Sequence, residues 1–250
     1  MVQIKFVKYN STRRERFQIK TTILEENGTR YVEKAALSME GAPHIWSFAS
    51  NYGLLSGQHR VLKFAEPVIH EDRSRARFPY LTGETLAERL GREIQGGKAP
   101  VDAIREALDL VFDVAPECVE PFRVTPEFLE VFGGDESSFE DMEDDSYVIS
   151  NVDALFENMM LTEDGLYCLD YEWVFQFPIP VQFLKYRTLY YFYQQYHSLM
   201  EYESRESFLA EFGISVEMAG RYQAMEQCFQ EYVHGENQRI YLENFMIRTK

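Results

Sequence analysis

The chain has 250 residues, 45% hydrophobic and 26% charged, with 19 Phe, 16 Tyr and 2 Trp. That is enough apolar material for one large domain or two lobes around a shared cleft, and it excludes a wholly disordered chain or a collagen-like polymer. With 25 Lys and Arg against 41 Asp and Glu the formal charge is −16, which argues against a nucleic-acid partner held by bulk electrostatics. Cys118, Cys168 and Cys228 stand far apart without metal-ligand spacing, as expected of reduced thiols. No run of about 18 apolar residues occurs, so no membrane span is expected. The opening MVQIKFVKYN has no apolar signal-peptide core, which points to a cytoplasmic protein.

No internal repeat is visible. Residues 1–81 read as strand-rich. Val2, Ile4 and Phe6 alternate, as do Phe17, Ile19 and Ile23, the period of half-buried strands. Glu26 leads into Asn27-Gly28, a hairpin signal because both residues accept the positive φ of a tight turn. In the strand that follows, over 29–35, alternation puts Val32 and Lys34 on one face and Tyr31 and Glu33 on the other. A helix is expected along the stripe Ile45, Phe48, Tyr52 and Leu55, then strands around 61–69 and 75–81.

From Thr85 the pattern turns helical. Thr85 and Glu88 form a capping box ahead of Leu86, Leu90 and Ile94. Val101, Ile104, Leu108 and Val111 mark a second amphipathic helix, and residues 183–200 and 215–233 two more. The predicted fold class is therefore α+β in two lobes, a small β-rich lobe over 1–81 and a larger, mainly helical lobe over 82–250. Residues 133–146, GGDESSFEDMEDDS, carry seven acids between Asp135 and Asp145; a solvated, mobile loop is expected there.

The most informative stretch is 151–173, NVDALFENMMLTEDGLYCLDYEW. A loop with Asp153 runs into a short apolar strand, a polar turn at Gly165, and a second apolar strand ending at Asp170. If Leu161 pairs with Leu166, Asn158 lies opposite Leu169 and Glu157 opposite Asp170. Asn158 and Asp170 then meet at one end of the hairpin, where paired residues sit about 5 Å apart, with Asp153 just outside. An amide oxygen and carboxylates are the hard ligands that a magnesium ion, Mg2+, prefers. An acid such as Asp170 at the end of an apolar strand is costly to bury without such a task.

This pattern resembles the catalytic centre of the protein-kinase-like fold, in which an Asp is followed five residues later by an Asn and a metal-binding Asp ends the next hairpin. The ending Leu169-Asp170-Tyr171-Glu172 is more similar to the aminoglycoside phosphotransferase and choline kinase branch than to protein kinases. The resemblance implies a two-lobed kinase-like fold using ATP and Mg2+. It makes Asp153 the residue that orients the attacking hydroxyl and accepts its proton. Asn158 and Asp170 would hold Mg2+, with Glu172 as a further ligand. Lys34 would position the α- and β-phosphates, aided by Glu40, the only acid near the first helix, since 41–60 contains none. Tyr80 and Leu81 fall where the hinge main chain would bind adenine. The implied acceptor is a hydroxyl of a small molecule or a sugar or glycan. The segment 170–175, DYEWVF, also looks similar to kinase-like domains found beside bacterial glycan-assembly enzymes, and so implies an association with such enzymes.

Two departures stand out. The first-hairpin loop, residues 9–16, has no glycine; Ser11, Thr12 and its arginines offer phosphate donors instead. Asn151 stands two before Asp153, where the family often has His. Both leave open an alternative, a catalytically inactive kinase-like module with a binding or regulatory role.

Overall fold

The computed structural model describes residues 1–237. Residues 238–250, the end of the segment assigned to the second lobe, lie outside the described residues.

The chain opens with three antiparallel strands, β1 (Val2–Tyr9), β2 (Ile19–Glu26) and β3 (Thr29–Ala36). Asn27 and Gly28 both take positive φ, 52° and 83°, as the turn between β2 and β3 requires. Helix α1 (Ala42–Gln58) starts with a proline in its first turn and buries Ile45, Phe48 and Leu55. Three strands follow, β4 (Lys63–Phe64), β5 (Val68–Ile69) and β6 (Arg75–Pro79). The first sheet has the order β1-β2-β3-β6-β5. Strand β1 forms as expected, but all eight of its residues are exposed. It is an edge strand, and a bulge between Ile4 and Phe6 shifts its register, so its alternation produces no continuous buried face.

Next come β7 (Glu84–Thr85), α2 (Leu86–Gln95), α3 (Pro100–Val111), β8 (Val119–Pro121) and α4 (Pro126–Phe132). The capping box is formed: Glu88 N donates to Thr85 Oγ1 (3.2 Å) and Thr85 N to Glu88 Oε2 (2.9 Å). Most acids of the stretch after α4 are exposed, as expected of a solvated loop, but the stretch is also anchored. Phe139 and Met142 are buried in the core, Asp141 pairs with Arg221 (2.7 Å), and Asp135 caps its own turn.

The remaining elements are β9 (Asp145–Tyr147), β10 (Ser150–Asn151), β11 (Met159–Thr162), β12 (Gly165–Cys168), β13 (Val174–Phe175), α5 (Val181–Tyr196), α6 (Arg205–Ala210) and α7 (Val216–His234). The β11–β12 hairpin is the centre of a second sheet, order β4-β12-β11-β7. Strand β4 pairs parallel to β12 and β7 antiparallel to β11, so segments from both sides of the lobe junction clamp the hairpin. Among the described residues no helix is long and apolar enough to cross a membrane, and all three cysteines are free.

Gly83, just before β7, lies so close to β11 that a Cβ would collide with the main-chain carbonyl of Leu161. Gly83→Ala is expected to cost about 1–3 kcal/mol, read as a lowered midpoint in thermal or urea unfolding.

Candidate active site

The hairpin pairs Leu161 with Leu166 and Met159 with Cys168, and Leu169 N donates to Asn158 O (2.7 Å) one step further. The expected register is therefore the observed one, and it delivers Asn158 and Asp170 to the same end. The loop before β11 is held from beneath by Val152, Phe156 and Met159, all buried. It folds back on Asp153: Leu155 N donates to Asp153 O (2.7 Å), and so does Asn158 Nδ2 (3.0 Å). With its NH2 end committed there, the Asn158 amide has its oxygen as the end left for a cation.

Asn151 ties the two loops together. Its Nδ2 donates to Asp170 O (3.2 Å), while its Oδ1 accepts from Asp153 N (3.1 Å). The amide thus serves both a donor and an acceptor of the surrounding main chain.

The side chains form two linked ionic groups. In the first, Lys34 Nζ, buried on β3, donates to Asp170 Oδ1 (2.7 Å) and lies 5.1 Å from the Phe48 ring centre. Burial alone would lower the Lys34 pKa, but the charges of Asp170 and Glu172 raise it above the usual value. Glu172, with only 2% of its side chain exposed, accepts a two-pronged bond from Arg13 (3.0 and 2.8 Å) and lies 3.2 Å from His44 Nε2. Burial would raise its carboxyl pKa; Arg13 foremost, with Lys34 and His44, holds it well below the usual range. Asn51 of α1 donates to Tyr171 O (3.1 Å) between these two acids.

The second group is built on Arg187 of α5, which is 2% exposed. Its Nε donates to Val152 O (3.0 Å), Nη2 to Asp153 Oδ1 (3.4 Å) and Nη1 to Glu226. Burial pushes the Asp153 carboxyl up to about 7, against the pull of Arg187 and with the repulsion of Asp170 and Glu172. A carboxyl with that pKa can take up a proton near neutrality.

Lys34, Asp153, Asn158 and Asp170 are thus gathered at the end of the hairpin, and Tyr80 and Leu81 lie between β6 and β7, outside both ladders. Glu40 is not part of the group. It is exposed in a short turn, Met39–Gly41, before α1 and makes no ion pair with Lys34; the partner of Lys34 is Asp170. Both oxygens of Glu172 are engaged by Arg13 and His44, which does not suit a metal ligand. Asp170 and Asn158 fit Mg2+ as hard oxygen donors, with phosphate and water oxygens to complete the shell. Among the described residues no cluster of three or more His, Cys, Asp or Glu could hold a metal by itself.

His44, Asn51 and Arg187 were not singled out as site residues from the sequence, and Arg13 was named only together with the other arginines of its loop as a phosphate donor. The available signal was the absence of acids over 41–60, which leaves α1 to meet the hairpin through His44 and Asn51 instead.

No family model and no curated protein matches the chain. Solved structures do. A thermostable mutant of aminoglycoside phosphotransferase APH(4)-Ia in its apo form superposes with a TM-score of 0.57 at 12% identity, covering 97% of this chain and 90% of that one. A variant of the same enzyme in ternary complex with ADP and hygromycin B gives a TM-score of 0.54 at 12% identity, covering 97% and 89%. The chain has the two-lobed protein-kinase-like fold. In it the β1-β2-β3-β6-β5 sheet with α1 is the small lobe, and the hairpin ends at the cleft beneath it.

Two outcomes test these electrostatics. Because the folded chain holds the Asp153 proton more tightly than the unfolded chain, Asp153 is expected to cost stability progressively as pH rises from the ordinary 3.8 to about 7; Asp153→Asn should flatten that part of a urea-unfolding pH series. Arg187→Met should remove the cation that lowers the Asp153 pKa. The carboxyl titration, followed by carbon-13 NMR, should move above 7, with a loss of about 3–5 kcal/mol from the exposed buried-charge imbalance.

Proposed function

We propose that this protein is an ATP- and Mg2+-dependent phosphotransferase that transfers the γ-phosphoryl group to a hydroxyl of a small molecule or sugar. The observation that carries this reading is the meeting of Lys34 with Asp170 (2.7 Å) beside an Asp153 and Asn158 locked together by main-chain bonds. The main chain at Tyr80 and Leu81 would hold the adenine, as the hinge of the fold provides. Lys34 would exchange Asp170 for the nucleotide phosphates, while Asp170 and the Asn158 oxygen hold Mg2+, whose contribution when bound is to neutralise phosphate charge. Asp153 would align the acceptor hydroxyl. The hydroxyl oxygen bonds to the γ-phosphorus as the bond to the β–γ bridging oxygen breaks, ADP leaves, and the hydroxyl proton passes to the Asp153 carboxylate. Alignment and charge neutralisation supply the rate, with no covalent intermediate on the protein.

The aminoglycoside phosphotransferase solved with ADP and hygromycin B lends fold-level support to a nucleotide and a hydroxyl-bearing small molecule in this cleft. A glycan acceptor, and association with glycan-assembly enzymes, rest on the 170–175 segment. Within that segment Tyr171 and Trp173 are buried packing residues, so it supports those two ideas less than its wording suggests.

A second reading, a nucleotide-binding module without turnover, is favoured by two observations: Lys34 has no acid from α1, and Arg13 already occupies Glu172. Asp153 separates the two. ATP with Mg2+ at 100 times its dissociation constant should stabilise the protein by about 2.7 kcal/mol, and Asp170→Ala should abolish the Mg2+-dependent part of the thermal shift. Asp153→Asn should keep the ATP shift. In a screen of sugars, amino alcohols and aminoglycosides it should lose acceptor-dependent ATP consumption by about 10²- to 10⁴-fold. No shift with ATP would end both readings. ATP binding without transfer to any acceptor would leave the module.

A further inference from the structure

The loop between β1 and β2 is glycine-free yet closes onto the second lobe. Arg14 N donates to Val233 O (2.8 Å), the Arg14 guanidinium to Glu231 O (3.2 Å), and Thr12 O lies 3.0 Å from His234 Nδ1. All three partners are at the C-terminal end of α7. The approach is close: Gly235 has φ +55°, and a Cβ on it would press on Arg14 Nε at 2.8 Å. The main chain is therefore fixed on both sides of Arg13.

Held in this way, Arg13 points between the lobes. Its guanidinium lies 5.3 Å from the Trp173 ring centre, and 13% of its side chain is exposed. Both terminal nitrogens grip Glu172 end-on, which leaves the side edge, Nε–H with one Nη–H, to spare among its five donors. Glu172 is two residues past Asp170, and the charges of Asp170 and Asp153 both act on Arg13. Lys34 and Arg13 balance Asp170 and Glu172, so the cleft is close to neutral before a ligand enters. A triphosphate adds negative charge. Where a glycine-rich loop would meet it with main-chain N–H groups at close approach, this loop has side chains in the way.

We propose that Arg13 is a nucleotide-phosphate ligand, a guanidinium pre-set by Glu172 and His44 that replaces the main-chain phosphate cradle of a glycine-rich loop. This rests on the nucleotide-binding reading above. Glu172 is then a positioning residue, joining the loop, α1 and the metal-side hairpin end through one carboxylate. Arg13 keeps its grip on Glu172 while its free edge meets phosphate oxygens, a geometry for which a lysine has no equivalent.

The test is calorimetric binding of adenosine, ADP and a non-hydrolysable ATP analogue, each with Mg2+, to the wild type, Arg13→Gln and Arg13→Lys. Arg13→Gln should weaken the analogue and ADP by about 10- to 100-fold and leave adenosine unchanged, with Arg13→Lys in between. Should Arg13→Gln fail to fold because Glu172 is left unpaired, the double variant Arg13→Gln/Glu172→Gln removes both charges and should show the same selective loss. Equal affinity of wild type and variant for the analogue would overturn the inference, as would a matching loss for adenosine, which would make Arg13 merely structural. Tighter analogue binding by the variant would overturn it too, because Arg13 would then be a plug. If the wild type binds neither adenosine nor the analogue, the nucleotide reading itself has failed.

Discussion

Lys34 and Asp170 are 136 residues apart in the chain and 2.7 Å apart in space, and the cleft is organised around the need to keep such buried charges paired. An ammonium with this little exposure is tolerable only beside an anion. Asp170 is there because the β11–β12 ladder ends two residues earlier, and Glu172 because the chain then turns under the first-lobe loop. Each acid brings its own cation from the small lobe. The lobes are thus joined at the site by ion pairs as well as by an apolar seam in which Tyr171 packs on Phe48 and Phe78 and Trp173 on Phe17.

The second ionic group works differently. Arg187 bonds a main-chain carbonyl, Asp153 and Glu226 at once, so α5 fixes the loop that carries Asp153 from behind. Its guanidinium is shared, and burial dominates: the Asp153 proton is retained up to about pH 7. Asn151 then links this loop to Asp170 through main-chain bonds. An amide can do this because it carries a donor and an acceptor on one short side chain, and it stays uncharged at any pH. Asn151 therefore connects the two loops with an uncharged side chain.

Much of this was legible in local patterns. Alternation and turn chemistry located the strands of the first sheet and the β11–β12 hairpin, the capping box located the start of α2, and the hairpin register followed from pairing Leu161 with Leu166. The polar face of the site was harder to read. Glu40 was the nearest acid to α1 in sequence, but it falls in an exposed turn. The acidic run at 135–145 looked free because its charge count hid the anchoring by Phe139 and Met142. Strand β1 alternated like a half-buried strand and proved to be an exposed edge.

The sequence by itself determined the first three strands, the helices α1, α2, α3, α5 and α7, and which end of the hairpin gathers Asn158 and Asp170, because periodicity, turn residues and ladder register act over a few neighbouring positions. The short strands β8, β9, β10 and β13 and the helices α4 and α6 were not read from it. Only the tertiary structure decided which charges pair: Lys34 with Asp170, Arg13 and His44 with Glu172, Arg187 with Asp153. Such pairing depends on burial and on distances between segments from 34 to 159 residues apart in the chain, and a buried carboxylate takes whichever cation the packing brings within reach.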